Sequence, residues 1–363
     1  MSVRGATGHF RLGFFTRMVD DAAPAEIYAR ALELFETAED LGYDAGWVAQ
    51  HHVHNQGGLP SPLIFLTAAA ARTRRVKLVT GIITTPLENP LRLAEDASVL
   101  DILSGGRLEL GFGTGGNEAV FTMFGKDVNK RQTDYDRVFD AVRDALLGKE
   151  IGSSGQVMFP PNESLTTRFW EATFHVEGGI RAARHGSGLL LSRTMPRPMS
   201  DTGTFESIDV AQQPIVDAYL QHLAGSDVAP RISLSRTVYV APTRAEAYAD
   251  AEAGMRRYAR NIGERGGFRP EMTIDEIVAR SDFHIGDPED VIASLRADQL
   301  LPVATDVTFQ VHPVDDSPTK TLRSFELVAR EVAPALGWRP SRESAVTPGG
   351  RVPLPTSPGQ PSG

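Results

Sequence analysis

The chain has 363 residues, a formal net charge of -9 at pH 7 and no cysteine. That length holds one large domain or two small ones, and the missing cysteine excludes disulfides, a thiolate metal site and a thiol nucleophile. Acidic charge spread without a basic block argues against a nucleic-acid partner, and with a polar start at Met1 to His9 and no run of roughly 18 apolar residues, a soluble cytoplasmic protein with no membrane partner is expected.

Phe10 to Phe15 reads as a short apolar strand. Pro24 to Leu41 follows as an amphipathic helix with Ile27, Ala31, Leu34, Phe35, Ala38 and Leu41 on one face, closed by Gly42. Gly46 to Ala49 is a second strand ending in Gln50-His51-His52, and Pro62 to Arg72 is its helix. Val76 to Ile83 is β-rich without polar alternation, as in a strand covered on both faces. The turn-rich TTPLENP then leads into a helix in which Leu91, Ala94, Leu100 and Leu103 repeat up to the Gly105-Gly106 stop. Arg107 to Phe112 is the fourth strand, which a right-handed crossover makes a parallel neighbour of the third. A helix at Tyr135 to Leu147 completes this part.

Gly148 to Thr167, with GSSGQ and a Pro-Pro pair, interrupts the pattern as a long loop. Arg168 to Ala172 and Gly188 to Ser192 are strands five and six, around the helix GIRAARHG. A second long loop, Arg193 to Val210, leads to a helix at Ala211 to Leu223; Ile232 to Val240 is strand seven, and an Ala- and Arg-rich helix runs from Thr243 to Arg265. In residues 266 to 305 the one element start read is Gly286-Asp287-Pro288-Glu289-Asp290, where Asp287 caps and Pro288 takes the first helical position. Asp306 to Val311 is strand eight and Thr319 to Leu336 the closing helix. Residues 1–338 are thus expected to form one domain, and 339–363, poor in large apolar residues, a disordered tail.

Eight strands alternating with helices predict the α/β class and a single (β/α)8 TIM barrel with insertion loops, its site at the carboxyl ends of the strands. The residues just past each strand are then the chemically useful ones: Thr16 and Arg17; His51 and His52; Gly81 to Thr84; Gly113 to Gly116; Ala172 and Thr173; Ser192 to Thr194; Gln310 and His312. The two long loops are expected to cover this mouth, and Met158, Phe159, Met195, Met199 and Phe205 within them either line an apolar pocket or pack beneath ordinary loops.

Two local patterns bear on chemistry. Gly111, Gly113 and Gly116 satisfy GxGxxG, and Asp134 and Asp136 lie near the distance expected of an acidic ribose partner, but Asn117 to Asn129 makes a poor first helix for a dinucleotide site. A Gly-rich floor on which a flat ligand rests against bare backbone is favoured, with a Rossmann dehydrogenase as the alternative. Adjacent histidines at a strand end point to opposite faces, so at most one of His51 and His52 looks into the mouth. A single imidazole titrating near neutrality suits proton transfer or hydrogen bonding at a developing anion. Buried structural histidines are the plain alternative, and no acidic residue lies close in sequence to complete a metal site with His52 and His54.

GFFTR at strand one, LGYDAGWVAQHH at strand two, VKLVTGIITTPLENPLRLAEDASVLDILSGGRLELGFG through strands three and four and GLLLSRT at strand six resemble the bacterial luciferase-like flavin monooxygenases, over about residues 10 to 337. RFWEAT, LLLSRTMPRP and VTFQVH are similar to segments of that family's uncharacterised FMN-dependent luciferase-like subgroup. The resemblance implies a TIM barrel that receives reduced FMN from a separate NAD(P)H-flavin reductase. With molecular oxygen it would oxygenate a small apolar substrate of aldehyde or ketone type, as a homodimer or homo-oligomer. A deazaflavin-dependent oxidoreductase and a non-catalytic FMN-binding flavoprotein are the alternatives on the same barrel.

By motif match His51 takes the position of the family's catalytic histidine, with Gln50 where the motif has Glu. The Gly81-Ile82 bond matches a non-prolyl cis peptide under the flavin ring, and Gly113, Thr114 and Gly115 match the turn after strand four. Thr16, Ala172, Thr173 and Ser192 complete the implied cofactor-binding set. Thr114 stands where luciferase has an arginine, so Arg131 or Arg193 is expected to supply the charge for the flavin phosphate; Phe174-His175 replace the subgroup's small hydroxyl residues.

Overall fold

The structure is a computed structural model that describes residues 10–18, 22–53, 58–197, 205–263, 267–310 and 317–340. In chain order the elements are β1 (Arg11–Thr16), α1 (Pro24–Asp40), β2 (Ala45–Val48), α2 (Pro62–Arg72), β3 (Lys77–Thr80), β4 (Ile83–Thr84), α3 (Pro90–Ser104), β5 (Leu108–Gly113), α4 (Glu118–Met123), α5 (Arg131–Leu146), α6 (Glu163–Thr166), β6 (Phe169–Ala172), α7 (Val176–His185), β7 (Gly188–Leu191), α8 (Ile208–Leu223), β8 (Ile232–Val240), α9 (Arg244–Ile262), α10 (Ile274–Ser281), β9 (Phe283–Gly286), α11 (Pro288–Arg296), β10 (Asp306–Gln310), α12 (Pro318–Leu327) and α13 (Ala333–Ala335).

All strand pairings within the sheet are parallel, in the order β10-β1-β2-β3-β5-β6-β7-β8, and β8 pairs back onto β10 to close the ring. Among the described residues there are ten strands, of which β4 continues β3 and β9 pairs with β8 alone, so eight staves remain: the TIM barrel the sequence predicts. Alternation along each strand sorts the side chains. Ala45, Trp47, Val79, Trp170 and Leu190 fill the barrel, with the Trp47 and Trp170 rings edge to face at 5.5 Å. Leu12, Phe14, Val48, Leu78, Leu110 and Phe112 point outward into the core under the helices.

The amino end of the barrel is closed by charge. Arg11 donates from Nη1 to Glu109 Oε1 and from Nε to Asp306 Oδ1, both at 2.7 Å, and Trp170 Nε1 donates to Glu109 Oε2 at 2.7 Å. A buried ion pair holds only when its remaining hydrogen-bonding positions are filled, and here they are. Burial nevertheless pushes Asp306 up to about 6, against the pull of Arg11.

Three expectations need correction. Strand three is two strands, broken at Gly81 and Ile82. The reason is the close approach of β5: a Cβ on Gly111 would lie 2.1 Å from Thr80 O, and one on Gly113 would lie 2.7 Å from Ile82 Cδ1. Second, residues 266 to 305 also hold α10, with a Thr273–Glu276 capping box, and the four-residue strand β9. With Tyr239 and α9 they form a satellite core of their own, including Ala251, Met255, Phe268, Ile277 and Phe283.

Third, the loop 148–167 is not at the mouth. It leaves the end of α5 and returns to the start of β6, so it packs under the amino ends of the strands. Ser98 Oγ donates to Pro160 O at 2.7 Å and Asn162 Nδ2 to Asp101 Oδ2 at 2.9 Å. Met158 is buried in the main core, whereas Phe159 is 86% exposed, so neither lines a pocket there. The second loop does follow a strand end, β7, with Met195 packed on the α8 core; Met199 lies outside the described residues. So do His54, Val311, His312 and residues 341–363 of the expected tail. No helix among the described residues is long and apolar enough to cross a membrane.

Candidate active site at the carboxyl ends of the strands

The segment after β2 is fixed from both sides. Gln50, buried, accepts the Thr84 N–H on Oε1 at 2.6 Å and donates from Nε2 to Glu88 Oε1 at 2.8 Å and to Pro60 O at 3.3 Å. The His51 N–H donates to Leu59 O at 2.9 Å. The half-buried His51 ring is held down to about 4 by burial first, then by the nearby Arg17 guanidinium and by His52. It is therefore neutral near pH 7, with one N–H and one lone pair to offer.

His52 has its own surroundings. Its ring meets Phe124 edge on at 4.7 Å, and its buried Nε2 has no partner among the described residues. Burial lowers its pKa, with Glu88 pulling the other way. Among the described residues no group of three or more acidic or histidine side chains could hold a metal ion.

Beside this segment lies the break between β3 and β4. The Gly81-Ile82 peptide is cis, as the resemblance implies. A Cβ on Gly81 would meet Phe15 at 3.1 Å and Trp47 at 3.2 Å. Gly111 and Gly113 of the GxGxxG run thus admit the neighbouring strand segment, Gly115 adopts φ 63, and Gly116 has nothing within 4 Å of an added Cβ. The closed sheet has no switch point for a dinucleotide, which overturns the Rossmann alternative. The turn leads instead into α4, a short helix capped by Asn117 that the sequence reading omits.

The other strand ends carry more polar chemistry. The Thr16 hydroxyl accepts the Met18 N–H at 3.1 Å, and Thr173 Oγ1 both donates to His175 O and accepts the His175 N–H at 3.0 Å, so these two hydroxyls shape turns. Ala172 borders the barrel core, Thr114 is half-buried, and Ser192 Oγ pairs with Thr194 Oγ1 at 2.9 Å. Arg193 donates from Nε to Gln310 Oε1 and from its guanidinium to Tyr258 on α9. Burial, reinforced by Arg17, brings it down to about 10 against the pull of Tyr258. Arg131, exposed at the first position of α5, donates to Val128 O at 3.1 Å and stands apart from the charges acting on His51.

The structure thus gathers His51, Arg17, Arg193 and Gln310 at one mouth, next to Gly81, Ile82 and Gly113. Arg17 and Gln310 are strand-end residues whose importance the sequence reading underrates. Tyr258 carries no sequence signal at all, because its place follows from the satellite core. Gln310 Nε2 and, opposite it on β8, Thr237 Oγ1 are buried without a partner among the described residues. Unmatched donors beside a guanidinium suit an anionic oxygen, and the low-relief backbone of Gly81 and Gly113 next to them fits a flat ring such as that of a flavin.

Comparison with known proteins agrees with this arrangement. Residues 9–304 match the family model described as luciferase-like monooxygenase. The 4-hydroxyprotoasukamycin monooxygenase of Streptomyces nodosus subsp. asukaensis is 28% identical over 324 residues, 84% of this chain and 86% of that protein. Monooxygenase RslO1 from Streptomyces bottropensis superposes with a TM-score of 0.78 at 25% identity, over 90% of this chain and 99% of its own. The oxygenating constituent of 3,6-diketocamphane monooxygenase from Pseudomonas putida, solved in complex with FMN, has a TM-score of 0.74 at 16% identity, over 90% and 98% of the two chains, a likeness of fold.

Proposed function

The chain belongs to the luciferase-like monooxygenase family of oxidoreductases, and from that premise we propose that it uses reduced FMN and molecular oxygen to oxygenate a small organic substrate of aldehyde or ketone type. The observation that carries the reading is His51, a half-buried, neutral imidazole at the end of β2 beside the β3–β4 break. When bound, reduced FMN supplies the electrons that activate oxygen.

The chain's own residues bind and orient. Gly81, Ile82, Gly113, Thr114 and Gly115 form the surface against which the ring would rest, with Thr16, Ala172, Thr173 and Ser192 around it and Arg131 as the cation for the phosphate. His51 donates a hydrogen bond to an oxygen on which negative charge develops, a role a neutral imidazole fills without first losing a proton. Exposed Phe124 and Phe174, on the loops after β5 and β6, favour an apolar substrate body. The reduced flavin would come from a separate NAD(P)H-flavin reductase, in keeping with the barrel's lack of a switch point, and the chain would work as a homodimer or homo-oligomer.

The test is to titrate the purified protein with FMN and with a deazaflavin coenzyme. Oxygen uptake and product formation are then followed on an aldehyde and ketone panel with a flavin reductase present. Tighter binding of FMN with oxygen-dependent product supports the reading. Preference for the deazaflavin with no oxygen uptake makes the chain a hydride-transfer oxidoreductase, and FMN binding without turnover on the panel makes it a non-catalytic flavoprotein.

A further inference from the structure

Arg193, just past β7, has no anionic partner among the described residues. Its Nε donates to Gln310 Oε1, which fixes the orientation of that amide: with the oxygen facing Arg193, the Nε2 end is turned elsewhere. Gln310 is 1% exposed, and its Nε2 has no partner among the described residues. Thr237, its register partner on β8, is equally buried and has an unmatched Oγ1. The guanidinium also donates to Tyr258 and is repelled by the guanidinium of Arg17, and no carboxylate among the described residues acts on it. Arg17 in turn acts on His51.

Desolvating a guanidinium is costly unless an anion completes its hydrogen bonds, and a charge-assisted N–H to oxyanion bond is about twice as strong as a neutral one. Beside a guanidinium whose hydrogen bonds go to the neutral Gln310 and Tyr258, the buried and unmatched Gln310 Nε2 and Thr237 Oγ1 are an unfilled site for an oxygen atom. We propose that Arg193, Gln310 and Thr237 form an oxyanion subsite that receives an ionised oxygen of the organic substrate, a carboxylate, phenolate or enolate, on the His51 side of the mouth. The inference rests on the FMN reading for what meets His51 and deepens it by naming the substrate class: an apolar body bearing one anionic oxygen. The other source of an oxyanion is the cofactor phosphate. In FMN that group lies a ribityl chain away from the ring, whereas Arg193 donates to Gln310 at the carboxyl end of β10, within the barrel mouth, which favours the substrate.

The probes are 4-ethylbenzoate and its neutral counterpart 4-ethylbenzyl alcohol, titrated calorimetrically into the protein, with FMN and riboflavin titrated in parallel. Wild type should prefer the carboxylate by about tenfold or more, and Arg193→Met should weaken it by about 10- to 100-fold while leaving the alcohol unchanged. The ratio of FMN to riboflavin affinity should be the same in both proteins. Gln310→Leu should reduce the carboxylate preference in part, and it serves as the second variant if Arg193→Met fails to give a wild-type circular dichroism spectrum. Two results overturn the proposal: no carboxylate preference in wild type, or a loss of FMN affinity in Arg193→Met with riboflavin unaffected, which would assign Arg193 to the phosphate. If the protein ignores FMN yet keeps an Arg193-dependent carboxylate preference, the FMN reading falls and the subsite stands.

Discussion

Gln50 Oε1 accepts the backbone N–H of Thr84 at 2.6 Å, and the other end of the same amide donates to Glu88 at 2.8 Å. Only an amide does both, since a carboxylate has no donor to turn toward Glu88. Gln50→Glu, which restores the acid of the family motif, should therefore cost about 1–3 kcal/mol at pH 7.5 by urea denaturation. Adding Glu88→Gln should recover most of that. An unchanged midpoint in the single variant would mean the Gln50–Glu88 contact does not hold the His51 segment.

His51→Ala should keep its flavin and lose about 100- to 10,000-fold in product formation, with the oxygen consumed leaving as hydrogen peroxide. Because the ring sits at about 4, partly through Arg17, its own protonation should not shape the rate between pH 6 and 8. Arg17→Met should move the ring's titration upward, read by histidine NMR. A wild-type product yield in His51→Ala would make this a packing residue.

The glycines of the GxGxxG run should not be equivalent. A Cβ on Gly111 lands 2.1 Å from backbone oxygen, so Gly111→Ala must push two strands apart and should cost more than about 3 kcal/mol. Gly116→Ala meets nothing and should stay within about 0.5 kcal/mol. Equal sensitivity of the two in thermal melts would contradict the packing account.

His284, buried on β9 with Nδ1 2.8 Å from Ser294 Oγ, is held at about 4 by burial and then by Arg236. An unfolded imidazole titrates near 6.5, so this group's contribution is complete above about 6.5 and is lost as the pH falls toward 4. Asp306, raised to about 6 by burial, acts in the opposite sense, its contribution fading as the pH rises from about 4 to 6. The wild-type slope mixes the two, and the variant separates them. His284→Gln should show a smaller loss of stability between pH 7.5 and 5 than wild type, by about 1–2 kcal/mol, from urea midpoints at both pH values.

The last turns of α3 expose Leu103 at 67%, with Ile102 and Val99 beside it, and α2, packed on α3, exposes Ile64 at 75% in its own first turn. Exposed apolar side chains on neighbouring helices are suited to self-association. The double variant Ile64→Glu, Leu103→Glu should halve the mass measured by light scattering while leaving the circular dichroism spectrum unchanged. A wild-type monomer, or a variant that stays associated, would place any interface elsewhere.

The barrel is legible in the sequence because its staves are apolar runs of strand length separated by amphipathic helices, and strand ends then nominate His51, Gly81 and Gly113 without any contact being known. The parts that are not legible depend on distance along the chain or on brevity. Arg193 and Gln310 are 117 positions apart, and only closure of the ring joins them. FHIG at β9 is four buried residues with no alternation to betray a strand. The misplacement of 148–167 has a different origin: loop length alone suggests proximity to the site, although a connection from helix to strand returns to the amino end.

β8 belongs to two bodies at once: Ser233 to Thr237 is a stave against β10, and Thr237 to Val240 is stitched to β9 in the satellite from which Tyr258 reaches Arg193. Loosening that satellite releases one support of Arg193 while the stave stays paired, so thermal inactivation should run ahead of melting. Residues 241–286 thereby become the natural place to adapt the working temperature of the enzyme, since stiffening or relaxing them reaches the mouth without opening the seam of the barrel.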